Sequence, residues 1–149
     1  MPCKKRNYTF GILIDWIPSW VESQYYQSLL LSGLSDFAKA NNINVICFVT
    51  GRFNSPYQWD RCRNILFRFI DKNKIDGLIV PTNAIGVYSD QHSIIKLLES
   101  YGDIPLVTVG ERFDRYPSVT VDNYTGMRQV VDHLIEVHGC RRIAFIKGP

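Results

Sequence analysis

Residues 8–15 read YTFGILID, an apolar run that continues through both faces of a strand and ends on a single aspartate. A strand apolar on both faces is one covered on both sides, the habit of parallel sheets. The runs INVICFVT (43–50), IDGLIVP (75–81) and PLVTVG (105–110) have the same character, SVTVD (118–122) is a shorter one, and RRIAFIKG (141–148) closes the series. Helical stripes separate them. A helix over 22–41 sets Tyr26, Leu30, Leu34, Phe37 and Ala38 on one face, with Ser19 and Glu22 at capping-box spacing ahead of it. Ser55-Pro56 opens a second helix carrying Cys62, Ile65, Leu66, Phe69 and Ile70. Ile94, Leu97, Leu98 and Tyr101 mark a third, which Gly102 ends, and Met127, Val130, Val131, Leu134 and Ile135 mark a fourth over 124–137, expected to face inward. Parallel neighbours need connections long enough to return over one face of the sheet. The expected architecture is therefore α/β: a three-layer α/β/α sandwich around a doubly wound, mainly parallel sheet.

A chain of 149 residues fits one ordinary domain. Its formal charge of +3 is matched by Lys4, Lys5 and Arg6 in the basic tail 1–7, so the remainder is neutral and charge gives no case for nucleic acid. The four cysteines, Cys3, Cys47, Cys62 and Cys140, are scattered and form no CxxC, which argues against a zinc ribbon or a dithiol redox pair. Cys47, inside an apolar strand, is expected in the core. Unpaired thiols fit a reducing compartment, and a cytoplasmic location is expected. The first apolar run breaks at Asp15 without a small-residue cleavage site, and no run reaches membrane-spanning length, so no membrane partner is expected.

Ligands of such sheets sit beyond the carboxyl ends of the strands, which selects the loops 15–26, 50–57, 81–90, 110–117 and 122–126. The first of them, DWIPSWVES, has no glycine, which excludes a dinucleotide fingerprint or a P-loop there. No G-x-S-x-G elbow is present, and His92, His133 and His138 fall on helices or their flanks. No catalytic residue, metal ligand or cofactor is therefore expected, and the chain reads as a protein that is not an enzyme. Asp15 at the end of the first strand is shared with receiver domains, although Pro81-Thr82 stands where those carry the phosphoacceptor aspartate. A flavodoxin-like or receiver-like domain binding a cofactor or phosphoryl group is the alternative.

What the loops do hold is rings mixed with hydrogen-bonding groups. Trp16, Trp20, Tyr25 and Tyr26 cluster at the start of the first helix, and Arg112, Asp122 and Asn123 follow later strands. Sugars and nucleosides are held by ring faces and by hydroxyl-clamping polar groups. The expected ligand-binding set is Asp15, Trp16, Tyr25, Tyr26, Arg112, Asp122 and Asn123. Plainer roles stand beside these: Tyr26 belongs to an apolar stripe, Arg112 suits a surface ion pair, and Asp122 is placed to cap the helix that begins at Tyr124.

SVTVDNYTGMRQVVDHLIEVHGCRRIAFIKGP (118–149) resembles the segment of LacI/GalR-type regulators and periplasmic sugar-binding proteins in which V-x-V-D-N precedes a helix and then G-x-R-R-I-A-F-I-x-G-P. YYQSLLLSGLSDFAKANNINVICF (25–48) and IDGLIVP are similar to their first helix with its second strand and to their third strand. The resemblance implies the N-terminal lobe (8–149) of a two-lobe, periplasmic-binding-protein-like ligand domain, with the first crossing between lobes at Gly148-Pro149 and the second lobe absent. It assigns ligand stacking to Tyr25 and Tyr26, and ligand contact to Arg112, Asp122 and Asn123. Glu111 replaces the usual Asp before that arginine, and the loop CFVTGRFNSP is longer than common, features closer to sensor domains joined to GGDEF or histidine kinase outputs. The implied function is non-catalytic sensing of a sugar or nucleoside-like effector in signal transduction or transcription regulation, by a homodimer. DNA contact would need a headpiece ahead of the first strand, where only MPCKKRN stands.

Overall fold

The computed structural model describes residues 7–16 and 26–146. Five strands, β1 (Thr9–Ile14), β2 (Asn44–Val49), β3 (Gly77–Pro81), β4 (Leu106–Val109) and β5 (Ser118–Val119), form one sheet in the order β2-β1-β3-β4-β5, with every pairing parallel. The helices are α1 (Tyr26–Asn41), α2 (Gln58–Arg63), which runs on into a 3-10 segment (Asn64–Phe69), then α3 (Thr82–Ile85), α4 (Gln91–Glu99) and α5 (Asn123–Glu136). The fold is α/β, a parallel sheet flanked by helices. β1 pairs with β2 on one side and β3 on the other, so strand order reverses at β1.

The pleat sends alternate residues of β1 to opposite faces. Leu13 joins Leu78 and Val80 on the face where Ile94, Leu97, Leu98 and Tyr101 of the α4 segment close the main core, together with Ile70, Ile75, Ile85, Ile104 and Phe113. Burying each such aliphatic side chain contributes roughly 1.5–3 kcal/mol. Ile12 and Ile14, which alternate to the other face, are also buried, but in α1 above them only Ala38 is. α4 starts at Asp90, whose carboxylate accepts from the Ser93 amide at 2.7 Å. Asn42 (φ 54) and Gly102 (φ 60), in left-handed conformation, follow α1 and α4.

Four expectations fail. Of the stripe Cys62, Ile65, Leu66, Phe69 and Ile70, Ile70 is buried as expected and Leu66 half-buried, but Cys62, Ile65 and Phe69 are exposed, because from Asn64 the chain turns at about 3.0 residues rather than 3.6 and packs Phe67 against the core. Cys47 is exposed, since β2 is an edge strand and α1 leaves that part of it open. The α5 stripe does not face inward: Met127, Val130 and Ile135 are 48%, 56% and 50% exposed, and no residue of the helix is buried. Residues 141–146 form no strand and pair with none of the five, leaving Phe145 71% exposed. Parallel pairing needs a free edge brought into register by a packed crossover, and α5 lies against too little of the sheet to supply one. The capping residues Ser19 and Glu22 lie outside the described residues.

Candidate functional site

Beyond the carboxyl ends of β3, β4 and β5 lies an open cleft of about 350 Å³, lined by Tyr26, Leu29 and Leu30 of α1, by Asn83, and by Val109, Gly110, Val119, Thr120, Val121 and Asn123. Register builds it: Pro81 pairs with Val109 and Val109 with Val119, so the three chains leave the sheet side by side. The Thr82 hydroxyl donates to the Val109 carbonyl at 3.3 Å, and the Gly110 amide donates to the Val119 carbonyl at 2.9 Å. Asn83 lies over Gly110 so closely that a Cβ there would sit 2.5 Å from its Cγ, and Gly110 has φ 102. Only glycine meets both conditions. The Asn83 side chain hydrogen-bonds the Tyr26 hydroxyl, a contact that lowers the phenol's pKa, while the stronger effect of burial raises it above the ordinary value. Among the described residues the lining therefore offers one phenol, one threonine hydroxyl and two primary amides among apolar walls, and no charged side chain.

Of the residues expected from sequence, Tyr26 and Asn123 share this cleft. Tyr25, with Trp20, lies outside the described residues. Asp15 accepts from the Gln27 side-chain amide, and its backbone carbonyl accepts from Arg63 at 3.0 Å. Trp16 is exposed immediately after it. Arg112 does not reach the first cleft: it is exposed on the β4–β5 loop and lines a smaller polar one, of about 300 Å³, with Asp114, Ser118 and Thr120. That loop is held by Phe113, plugged into the core, and by the contact between the Thr108 and Ser118 hydroxyls at 2.7 Å. Asp122 is the N-cap of α5, accepting from the Thr125 amide at 3.0 Å, and this bond lowers its carboxyl pKa. Its capping role is thus shown.

Two features escaped the sequence. Asn83 carried no sign beyond its place in the loop after β3. The second is a buried carboxylate: Asp60, 1% exposed, accepts from the Ser55 hydroxyl at 2.6 Å and from Arg52 Nε at 3.0 Å, and pairs with Arg63 at 3.0 Å. Burial pushes its pKa up, but the Ser55 and Arg52 hydrogen bonds outweigh that and hold it below the ordinary value. Arg52 also lies 4.9 Å from the Tyr88 ring centroid and 5.8 Å from that of Tyr57, which stacks on Trp59 at 4.6 Å. Because Arg63 continues from Asp60 to the Asp15 carbonyl, this network ties the loop after β2 to the end of β1.

Among the described residues no group of three or more His, Cys, Asp and Glu is placed to hold a metal ion, and no helix is long and apolar enough to cross a membrane. No protein-family model, curated protein or solved structure matches the chain.

Proposed function

We propose that this chain is the N-terminal part of a periplasmic-binding-protein-like sensor of the LacI/GalR type, holding a sugar or nucleoside-class effector without catalysis. The observation that carries this is the cleft at the carboxyl edge, where Tyr26, Asn83, Thr120 and Asn123 mix ring, hydroxyl and amide groups. Such groups suit a neutral polyol or nucleoside, which a ring face can stack on and hydroxyl and amide groups can hydrogen-bond. The cleft is one jaw, and a second α/β unit supplies the other. The exposed stripe of α5 and the unpaired apolar residues Ile143, Phe145 and Ile146 fit the first helix and first strand of that second unit. On this view the crossing between units lies near Val121–Asn123, ahead of Gly148-Pro149. A ligand closes such a hinge by binding the closed form more tightly than the open one. Dimerisation, a cytoplasmic setting and an output through a DNA-binding, GGDEF or kinase domain complete the proposal, with Arg112 and Asp15 serving the closed form.

The test is amide NMR of the chain titrated with pentoses, hexoses and nucleosides. A neutral ligand is expected to shift Asn83, Gly110, Thr120 and Asn123 together, saturating only in the millimolar range because half the contacts are missing. Micromolar affinity would contradict the half-cleft, and shifts confined to other surfaces would contradict the site.

A further inference from the structure

The end of α5 holds a pair of imidazoles that the cleft does not use. His133 stands in its last turn, and His138 follows the C-cap residue Val137. The chain reverses at Gly139 (φ 63), whose amide donates to the Ile135 carbonyl at 3.1 Å, while the Cys140 amide donates to the Leu134 carbonyl at 2.9 Å. The reversal folds His138 back beside His133, with ring centroids 4.8 Å apart, planes at 76° and the two Nε2 atoms at 3.1 Å. Both side chains are exposed.

At that separation the two Nε2 atoms face one another, and which of them donates depends on the tautomer. A divalent transition ion sits about 2.0–2.1 Å from imidazole nitrogen, which spaces two ligand nitrogens about 2.9 Å apart at a right angle and about 3.4 Å apart in a tetrahedron. The observed 3.1 Å lies between these values. An ion about 2.0–2.1 Å from both nitrogens sits to one side of the line between them, so a turn of the two exposed rings about their side-chain torsions brings both lone pairs onto it, and water fills its remaining positions. The carbonyl end of a helix favours a cation as well.

We infer that His133 and His138 form a two-imidazole chelate for a borderline divalent transition ion, of the class of Zn2+, Ni2+ or Cu2+, clasping the last turn of α5 to the reversal that follows it. Imidazole donors select these ions over Mg2+ and Ca2+, and the general affinity order places Cu2+ tightest.

Calorimetry with NiCl2 and ZnCl2 in a non-coordinating buffer tests this, with MgCl2 as control. One ion per chain is expected, with no Mg2+ heat. His133→Ala and His138→Ala are each expected to weaken binding at least tenfold, with unchanged far-ultraviolet circular dichroism since neither ring is buried. Cys140→Ser is expected to retain the affinity. Binding that survives both histidine variants, disappears with Cys140→Ser, or never occurs in the parent chain would overturn the inference.

Discussion

Asp60 shows how one side chain fixes a loop that no motif announces. Its carboxylate answers Ser55, Arg52 and Arg63 while almost wholly removed from water. Removing one member of a buried ion pair leaves the others uncompensated. Asp60→Asn keeps the shape and is expected to cost about 3 kcal/mol in urea unfolding at pH 7. Because the folded carboxyl titrates below its unfolded value, its contribution is complete above about pH 4 and is lost as pH falls through the lower folded value. Parent and variant stabilities should therefore converge in acid, and a gap that persists unchanged below pH 3 would assign the loss to packing instead. Gly110 is the second such residue. Gly110→Ala demands a left-handed backbone and collides with Asn83, so a loss of about 1–3 kcal/mol is expected, together with a shifted Asn83 side-chain amide signal. Stability within about 0.5 kcal/mol of the parent would show that Asn83 has another place to go. Asn83 was illegible because its role comes from register between β3 and β4, which no local pattern encodes.

At the scale of elements, β1, β3, β4 and the α4 stripe were plain in the sequence because their periodicity and their burial agree. Ile94, Leu97, Leu98 and Tyr101 sit at helical spacing and are all buried. α5 was equally plain as a helix, and its start was legible too, from Asp122 at the cap. Its environment was not, since amphipathic spacing records that a face is to be covered without saying by what. The 3-10 segment was hidden for the opposite reason: its residues have acceptable helical spacing, and only tertiary packing selects the tighter turn that sets Phe67 against the core. A helix with no buried residue should add little to the stability of the sheet. A chain ending after Asp122 is expected to keep the parent's unfolding midpoint within a few degrees, whereas Leu98→Ala, a fully buried truncation, should cost about 2–5 kcal/mol. Collapse of the shortened chain would mean that α5 supports the sheet after all.

For the whole molecule, the two faces of the sheet are unequal. One carries the continuous core that runs from Ile70 to Phe113, and the other is covered by α1, of which only Ala38 is buried. Between α1 and β2 an open apolar groove of about 500 Å³ remains, lined in part by Leu31, Leu34, Val45 and Cys47. Apolar burial is the main force holding an element down, so local opening should follow this asymmetry. The parallel sheet was legible in the sequence as strand after apolar strand, but the inequality was not, because YTFGILID is apolar toward both faces whichever of them is better packed. Native-state hydrogen exchange separates the faces directly. Amides of β1, β3 and β4 are expected to exchange only through global unfolding, those of α4 nearly as slowly, and those of α1 and α5 through cheaper local openings. Protection of α1 equal to that of α4 would show that the α1 face is as firmly held as the core, and would remove the physical basis for treating α1 and the Tyr26 cleft at its start as the part of the fold free to adjust to a ligand.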